Sequence, residues 1–487
     1  MTVPGSLFVR GLIVLLLVFV RLNAEAQQDT ADRLWQGSER QWRQQKEEAE
    51  PAPLEQQEQG PEGQAPVIDL PPGLKLQQLL FAILNAVNRR DWDAAERWLR
   101  LYASIPQHDP ALFDFVEAGR AADQGRYREA VAGYKKVLES NPGFTRGRLD
   151  LARALYADNR LRDAETSFRA LRDMPLPEQV LDHIDDYLGA LAQRRRPRLS
   201  LSLSAVREDN VNRASTVVDA CALVFHGVCL ANRPGKEISA SGTYFEGTLN
   251  KLWSLPGNHS VLLRSINYGN EYRHGDDYDN LVSTTYLGYQ YANVRTRFQL
   301  LPLFEYDREG GRDIYQAFGV RAVLARQWRQ RTELELSYEH KERDFSSALD
   351  SLEGDSRRLS VFANHALRRD LMIYGGLIMH DSDARLDMFA YRERIARFGV
   401  YKAVADLATV NLSYSYRKKV AKGRHAVFAR RQRDHEGSVY LNITLPRLAW
   451  HGVTPALSYE YRDNRSSIAH VYRYKKSRVT FGLNKIF

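Results

Sequence analysis

An all-α helical-repeat domain followed by an antiparallel transmembrane β-barrel of about 14 strands is the fold class this sequence predicts. Three observations predict it. An apolar leader opens the chain, a 34-residue helical repeat follows, and from Arg198 to Phe487 apolar and polar residues alternate between charged turns. Leu334, Leu336 and Tyr338, interleaved with Glu333, Glu335 and Ser337, show the alternation plainly. A period of two belongs to a strand with one wet and one greasy face. It recurs in Val410, Leu412, Tyr414 and Tyr416, and in Val439, Leu441, Ile443 and Leu445.

The leader spans residues 1–26. Arg10 precedes the apolar run Leu12 to Val20, and Ala24-Glu25-Ala26 is a small-x-small cleavage site that leaves Gln27 first in the mature chain. The alternative, a membrane anchor, meets a run shorter than the roughly 20 residues a spanning helix needs. No Cys stands at the cleavage point, so lipidation there is not expected. Across all 487 residues the hydrophobic fraction is 44 % and the mean hydropathy −0.47. A barrel keeps half its strand residues polar and so passes for soluble by bulk count.

Residues 27–73 are rich in Gln, Glu and Arg, then in Pro and Gly, and read as a flexible segment. Trp35 and Trp42 leave open a short docking helix there. The net charge of +9 is scattered over turns and polar faces, and with an export signal it excludes nucleic acid as the expected partner.

The helical domain is expected over 74–197. Gly125-Arg-Tyr127-Arg-Glu-Ala130-Val-Ala-Gly-Tyr134 matches Asn159-Arg-Leu161-Arg-Asp-Ala164-Glu-Thr-Ser-Phe168, and Arg90-Asp-Trp92-Asp-Ala-Ala95 is a looser copy. The offset of 34 and the small residue at the helix crossing indicate tetratricopeptide repeats. Ala95, Ala130 and Ala164 are the expected close-approach positions, Pro142 opens the next helix, and a capping helix covers 178–193. Such a stack offers a groove for a peptide or helix. Its client-binding face is placed around Tyr127, Tyr134, Asn159 and Phe168. The alternative is a stack that only braces the barrel. Pro197 breaks the last helix.

The barrel is expected over 198–487, with strands centred near 203, 243, 264, 286, 300, 318, 336, 361, 375, 396, 412, 440, 458 and 481. Even parity puts both ends of the barrel on one side, with the helices in the periplasm and the longer connections outside. Arg321, Glu335, Arg357, Arg394 and Arg417 are expected to line the lumen. Cys221 and Cys229 share the first outer loop, and a disulfide is expected in an oxidising compartment, two free thiols being the alternative.

The sequence shows no G-x-S-x-G, H-E-x-x-H or phosphate loop. The aspartates at 276, 277 and 279, and those at 381, 383 and 387, read as solvated loop charge, since the calcium-loop pattern is missing. No enzyme, cofactor or metal is expected.

Three further motifs carry a resemblance. Arg207-Glu208-Asp209-Asn210-Val211-Asn212 ends the first strand, Gly452-Val453-Thr454-Pro455 leads into the penultimate one, and Asn484-Lys485-Ile486-Phe487 ends the chain. In these the chain resembles the surface lipoprotein assembly modulator family, a group that includes a nematode host-range outer-membrane protein of Xenorhabdus. The resemblance covers nearly the whole mature chain, and the Cys-bearing first loop departs from it. It implies structural roles for Asp209, Asn210, Asn212, Thr454, Pro455 and Phe487. It also implies an outer-membrane factor that moves a client lipoprotein or secreted protein, encoded nearby, to the cell surface. The other implied partners are the barrel assembly machinery, which reads the terminal Phe487, the lipid bilayer and lipopolysaccharide. A surface factor for host interaction is the second reading and a solute porin the third.

Overall fold

The computed structural model describes residues 76–105, 108–217, 223–225, 228–231, 236–329 and 331–487. The leader and the 27–73 segment, with Trp35 and Trp42, lie outside the described residues.

Among the described residues seven helices form the first unit: α1 Leu76–Asn88, α2 Trp92–Ala103, α3 Ala111–Asp123, α4 Tyr127–Ser140, α5 Thr145–Ala157, α6 Leu161–Arg172 and α7 Glu178–Arg195. They pack as successive antiparallel pairs, because each carries one apolar stripe that only a neighbour can cover. Ala95, Ala130 and Ala164 are each 0 % exposed, at equivalent places in α2, α4 and α6. Gly125 and Asn159, one repeat apart, both take a left-handed backbone (φ 69° and 60°), as does Arg90 (φ 55°). That conformation turns the chain between paired helices, and Gly and Asn adopt it at the least steric cost. Pro142 sits in the turn before α5, whose first helical residue is Thr145, so the expected role for this proline is displaced by three residues.

The second unit is a closed antiparallel barrel. Its strands are β1 Arg198–Glu208, β4 Ala240–Ser254, β5 His259–Tyr272, β6 Asn280–Ala292, β7 Thr296–Glu309, β8 Arg312–Arg329, β9 Thr332–Phe345, β10 Gly354–Arg368, β11 Leu371–Ser382, β12 Tyr391–Val404, β13 Ala408–Ala421, β14 Arg433–Thr444, β15 Val453–Ser466 and β16 Tyr474–Ile486. Neighbours pair in chain order, and β1 closes the ring on β16 with Ser200 opposite Ile486 and Glu208 opposite Arg478. All fourteen expected strand centres fall inside these strands. A hairpin of β2 Leu223–Phe225 and β3 Val228–Ala231 belongs to the first long loop. Nothing in the structure supports the expected disulfide: Cys221 lies outside the described residues, and of Cys229 only its backbone place in β3 is described. A short α8, Ala469–Tyr472, lies in the last loop.

Outward rows such as Leu201 and Leu203, Phe304, Phe318, and Leu334, Leu336 and Tyr338 are exposed, while their strand neighbours are buried or half-buried. An apolar belt outside and polar residues inside is the arrangement a bilayer demands of a barrel. No described helix is long and apolar enough to cross a membrane. Arg357 and Arg394 correct the lumen expectation. They share the outward face with Leu359 and Ala396, whereas Arg321, Glu335 and Arg417 point inward. Both outward arginines lie within four residues of the strand end remote from the helices, where an outward charge is not forced into hydrocarbon.

Two tight features help set the register. His451 (φ 47°) and Gly452 (φ 75°) form the two-residue turn between Trp450 and Val453, which exchange backbone hydrogen bonds of 3.0 and 2.9 Å. Positive φ at both central residues is what a type I′ hairpin requires. Tyr374 lies across Gly399, where an added Cβ would stand 2.2 Å from the ring, and its hydroxyl donates to Asn411 at 2.6 Å.

Candidate functional site

Helices and strands meet at the end of the barrel where the chain crosses from α7 to β1. The Asn258 side chain donates to the Asp158 carbonyl, and the Gly257 N–H donates to Asp163 Oδ2 at 3.2 Å. Asn159 Nδ2 donates to the Asn293 carbonyl at 3.4 Å, and Lys251 Nζ donates to the Arg195 carbonyl at 2.6 Å. The last turn of α5, the first turn of α6 and the end of α7 therefore rest on β4 and on the turns after β4 and β6. Burial pushes the Asp158 carboxyl above the usual carboxylate range, a shift the Asn258 hydrogen bond opposes.

Between the units lies a cavity of about 590 Å³. Tyr127, Tyr156 and Asn159 line it from the helices; Arg264, Arg295 and Arg297 line it from the strands and turns. The Arg194 guanidinium lies 4.5 Å over the Tyr156 ring. Arg196 and Arg198 add to the same wall, and Glu246 and Glu333 are the carboxylates of the lining. Cations outnumber anions there, so the cavity favours acidic over basic chain.

Tyr127 and Asn159 are thus brought to one site. Tyr134 and Phe168 are not, and the expected groove is corrected accordingly. Tyr134 is 4 % and Phe168 0 % exposed. Phe168 stacks on Tyr187 with ring centroids 4.6 Å apart, and Tyr134 packs on Phe115. The last position of the matched motif faces the helical core because it falls one turn from Ala130 or Ala164 on the same stripe. Sequence reasoning missed Arg194, Arg196 and Arg198. Arg194 and Arg196 read as the end of the helices before Pro197 and Arg198 as the start of the barrel, and neither reading marks a cavity wall.

Above the cavity the lumen is packed with paired charge. Lys341 (1 % exposed) donates to Glu305 (0 %) at 2.8 Å, and Glu305 also accepts from Thr284 and Tyr315. Glu339 gathers Arg321 at 3.3 Å, Lys341 at 3.5 Å, Arg358 at 3.8 Å and the Tyr286 hydroxyl at 3.4 Å. Arg417 bridges Glu393 and Glu436 at 3.1 and 2.9 Å. Buried charge of this kind is tolerated because nearly every group finds an opposite partner.

At the far end, Asp209, Asn210 and Asn212 act on the loops around them. Asp209 takes two hydrogen bonds from Ser477, and Asn210 donates to the carbonyls of Ala214 and Lys475. Asn212 donates to the Lys236 carbonyl and accepts from the Ile238 N–H. Thr454 and Pro455 sit in β15 opposite Asn484 and Leu483. The Phe487 N–H donates to the Leu199 carbonyl at 2.8 Å, and Lys485 Nζ sits 4.8 Å over the Phe487 ring. In the outer loops, Lys422 pairs with Asp381 and Asp383, and Asp279 accepts from the Tyr272 N–H.

Comparison with known proteins gives two family matches. Residues 198–487 match the model of the surface lipoprotein assembly modifier, and residues 74–168 match the model of that family's N-terminal tetratricopeptide repeats. Among curated relatives, the hemophilin secretion modulator of Acinetobacter baumannii is 26 % identical over 429 residues, covering 84 % of this chain and 86 % of that one. Surface lipoprotein assembly modifier 2 of Neisseria meningitidis serogroup B is 26 % identical over 434 residues, covering 82 % and 84 %. Surface lipoprotein assembly modifier 1 of Haemophilus influenzae is 24 % identical over 420 residues, covering 84 % of each.

Proposed function

The chain belongs to the surface lipoprotein assembly modifier family, and on that premise we propose that its helical stack receives a client polypeptide and passes it through the arginine-lined cavity to the barrel. The setting is the outer membrane, with the helical region periplasmic, and the role is assembly or display at the surface without catalysis.

The observation that carries the proposal is the shared cavity. Neither unit encloses it alone, so a segment held by Tyr127 and Asn159 already lies at the barrel mouth. A solute porin gains nothing from helices across its mouth. The tightly packed lumen favours a gated barrel, closed in this conformation, in which passage requires the Glu339 and Arg417 pairs to part. The client is a lipoprotein or a secreted soluble protein. The names of the relatives cover both, one a secretion modulator and the others lipoprotein assembly modifiers.

Deletion of the gene, followed by protease shaving of intact cells, tests this reading. Loss of exposure of one or more surface proteins at constant total abundance supports it. Unchanged exposure with lost host attachment overturns it in favour of the host-interaction reading.

A further inference from the structure

The outward face of the barrel is apolar over most of its height, and near the end remote from the helices it carries charge that in one sector is mostly cationic. Pairing register sets Arg394 of β12 opposite Lys418 of β13, Lys418 opposite His435 of β14, and His435 opposite Arg465 of β15. Their strand neighbours Glu393, Ile395, Arg417, Asp434, Glu436 and Asn464 are buried, so this in-register row points away from the lumen. One pleat further out, Arg392 and Arg433 flank Val420. Arg392 has Asp381 at 3.0 Å, Arg465 has Asp463 at 3.9 Å, and His435 shares a 2.6 Å hydrogen bond with Tyr416. Among the described residues, no carboxylate lies within ion-pair distance of Arg394, Lys418 or Arg433.

Like charges set directly opposite one another across strands repel. Three cations without a carboxylate, two of them facing each other, are costly to the isolated chain. The cost is offset if the surroundings bring anions. The sector also lies at a defined depth. Just below it, on the same outward face, come Tyr416, then Tyr414 and Tyr461, and then Tyr459. Tyrosines of this kind mark the membrane–water boundary, so the cations stand at headgroup level on the extracellular side. They do not form a uniform girdle. Near the corresponding end of β9 the outward residues are Glu342 and Asp344.

We propose that Arg394, Lys418 and Arg433, with Arg465 and His435, form a binding site for the phosphate groups of an outer-leaflet glycolipid. Arginine forks take phosphate oxygens in pairs, the lysine supplies a point charge, and the acyl chains lie along the apolar rows below. The site rests on the barrel spanning the outer membrane and not on the client-transfer reading.

The test uses full-length protein purified in detergent, with bis-phosphorylated lipid A and fully dephosphorylated lipid A as probes and native mass spectrometry as readout. Wild type is expected to hold the phosphorylated lipid at least tenfold more tightly than the Arg394→Gln/Lys418→Gln variant, and both are expected to hold the dephosphorylated lipid equally weakly. Heat-modifiable gel mobility reports whether the variant barrel is closed, and Lys418→Gln alone is the milder substitute. Equal retention by wild type and variant, or indifference to the phosphates, overturns the proposal. Cross-linking of position 394 in cells to protein and not to lipid also overturns it. Surface display, measured separately in the same variant, is expected to persist. Lost display with retained lipid A binding bears on the client reading alone.

Discussion

Asp209 holds the two ends of the barrel wall together by gripping Ser477, 268 residues away, taking 2.7 Å from its backbone N–H and 2.6 Å from its hydroxyl. Asn210 works beside it from a buried position, donating to Lys475 and to Ala214 and accepting from the Ala214 N–H at 2.8 Å. The β1–β16 pair joins the first and last strands of the barrel, so no turn between them holds its register. Asn210→Ala strands buried carbonyls and an N–H, at about 1–3 kcal/mol. Asp209→Ala removes exposed hydrogen bonds, at about 1 kcal/mol. The midpoint of heat-modifiable gel migration is expected to fall in both variants, and further for Asn210→Ala.

Glu339 is the common partner of three cations and a tyrosine inside the barrel. Glu339→Gln leaves Arg321, Lys341 and Arg358 short of one negative charge in a buried setting, at a cost of about 3–5 kcal/mol. Glu305→Gln and Lys341→Met each break the 2.8 Å pair, and the double variant is expected to recover much of either loss, since it buries no unmatched charge. Urea unfolding in detergent or liposomes measures all four.

How much of this was legible beforehand follows from periodicity. The fourteen strand centres and the crossing positions Ala95, Ala130 and Ala164 each follow from a local pattern that repeats, and repetition suppresses error. Tyr134 and Phe168 misled because an aromatic on a helix reads equally well as groove or core, and only the neighbouring helix decides. Arg357 and Arg394 misled for a related reason. Alternation shows that a residue shares a face with Leu359 or Ala396, yet an arginine suggests the lumen unless its depth in the bilayer is known. The Arg207–Asn212 motif was readable as the end of the first strand, but its grip on Ser477 joins opposite ends of the chain, and no local pattern encodes that. The cavity was invisible for the same reason, since Arg194 and Arg295 meet only through the fold.

Ala164 is fully buried in the helical core, at the place in α6 equivalent to Ala95 and Ala130. Ala164→Leu is expected to cost about 1–3 kcal/mol through overpacking. The loss should appear in the helical far-ultraviolet signal of the full-length protein while heat-modifiable migration of the barrel is unchanged. A parallel shift in both signals would mean that the two units unfold as one.

Docking of the helices depends on Asn258 and Lys251, which hold the carbonyls of Asp158 and Arg195. The stretch from Arg194 to Arg198 is rich in trypsin sites and sits where these contacts converge. Asn258→Ala/Lys251→Ala is expected to speed tryptic cleavage there severalfold, and to reduce client display with the barrel still assembled. Unchanged cleavage would show that the remaining contacts, Gly257 to Asp163 and Asn159 to Asn293, suffice.

Asp158 supplies a pH signature of the same junction. Its carboxyl is raised by burial, with the Asn258 hydrogen bond opposing. A raised folded-state value means that the folded protein takes up the proton more readily than the unfolded chain does. This residue's contribution to stability therefore grows as pH falls from neutral through the raised value, and levels off below about 3.9, the ordinary aspartate value. Above the raised value the buried charge is a net cost. Asp158→Asn removes that charge and keeps a polar side chain beside Asn258. The variant is expected to resist thermal unfolding of the helical unit at pH 7.5 at least as well as wild type. Its advantage should shrink as pH falls through the raised value toward about 3.9, as read from the helical circular-dichroism midpoint across that range. A variant that is less stable than wild type at pH 7.5, with a gap that does not change with pH, would show that the carboxylate is held by favourable contacts and not by burial.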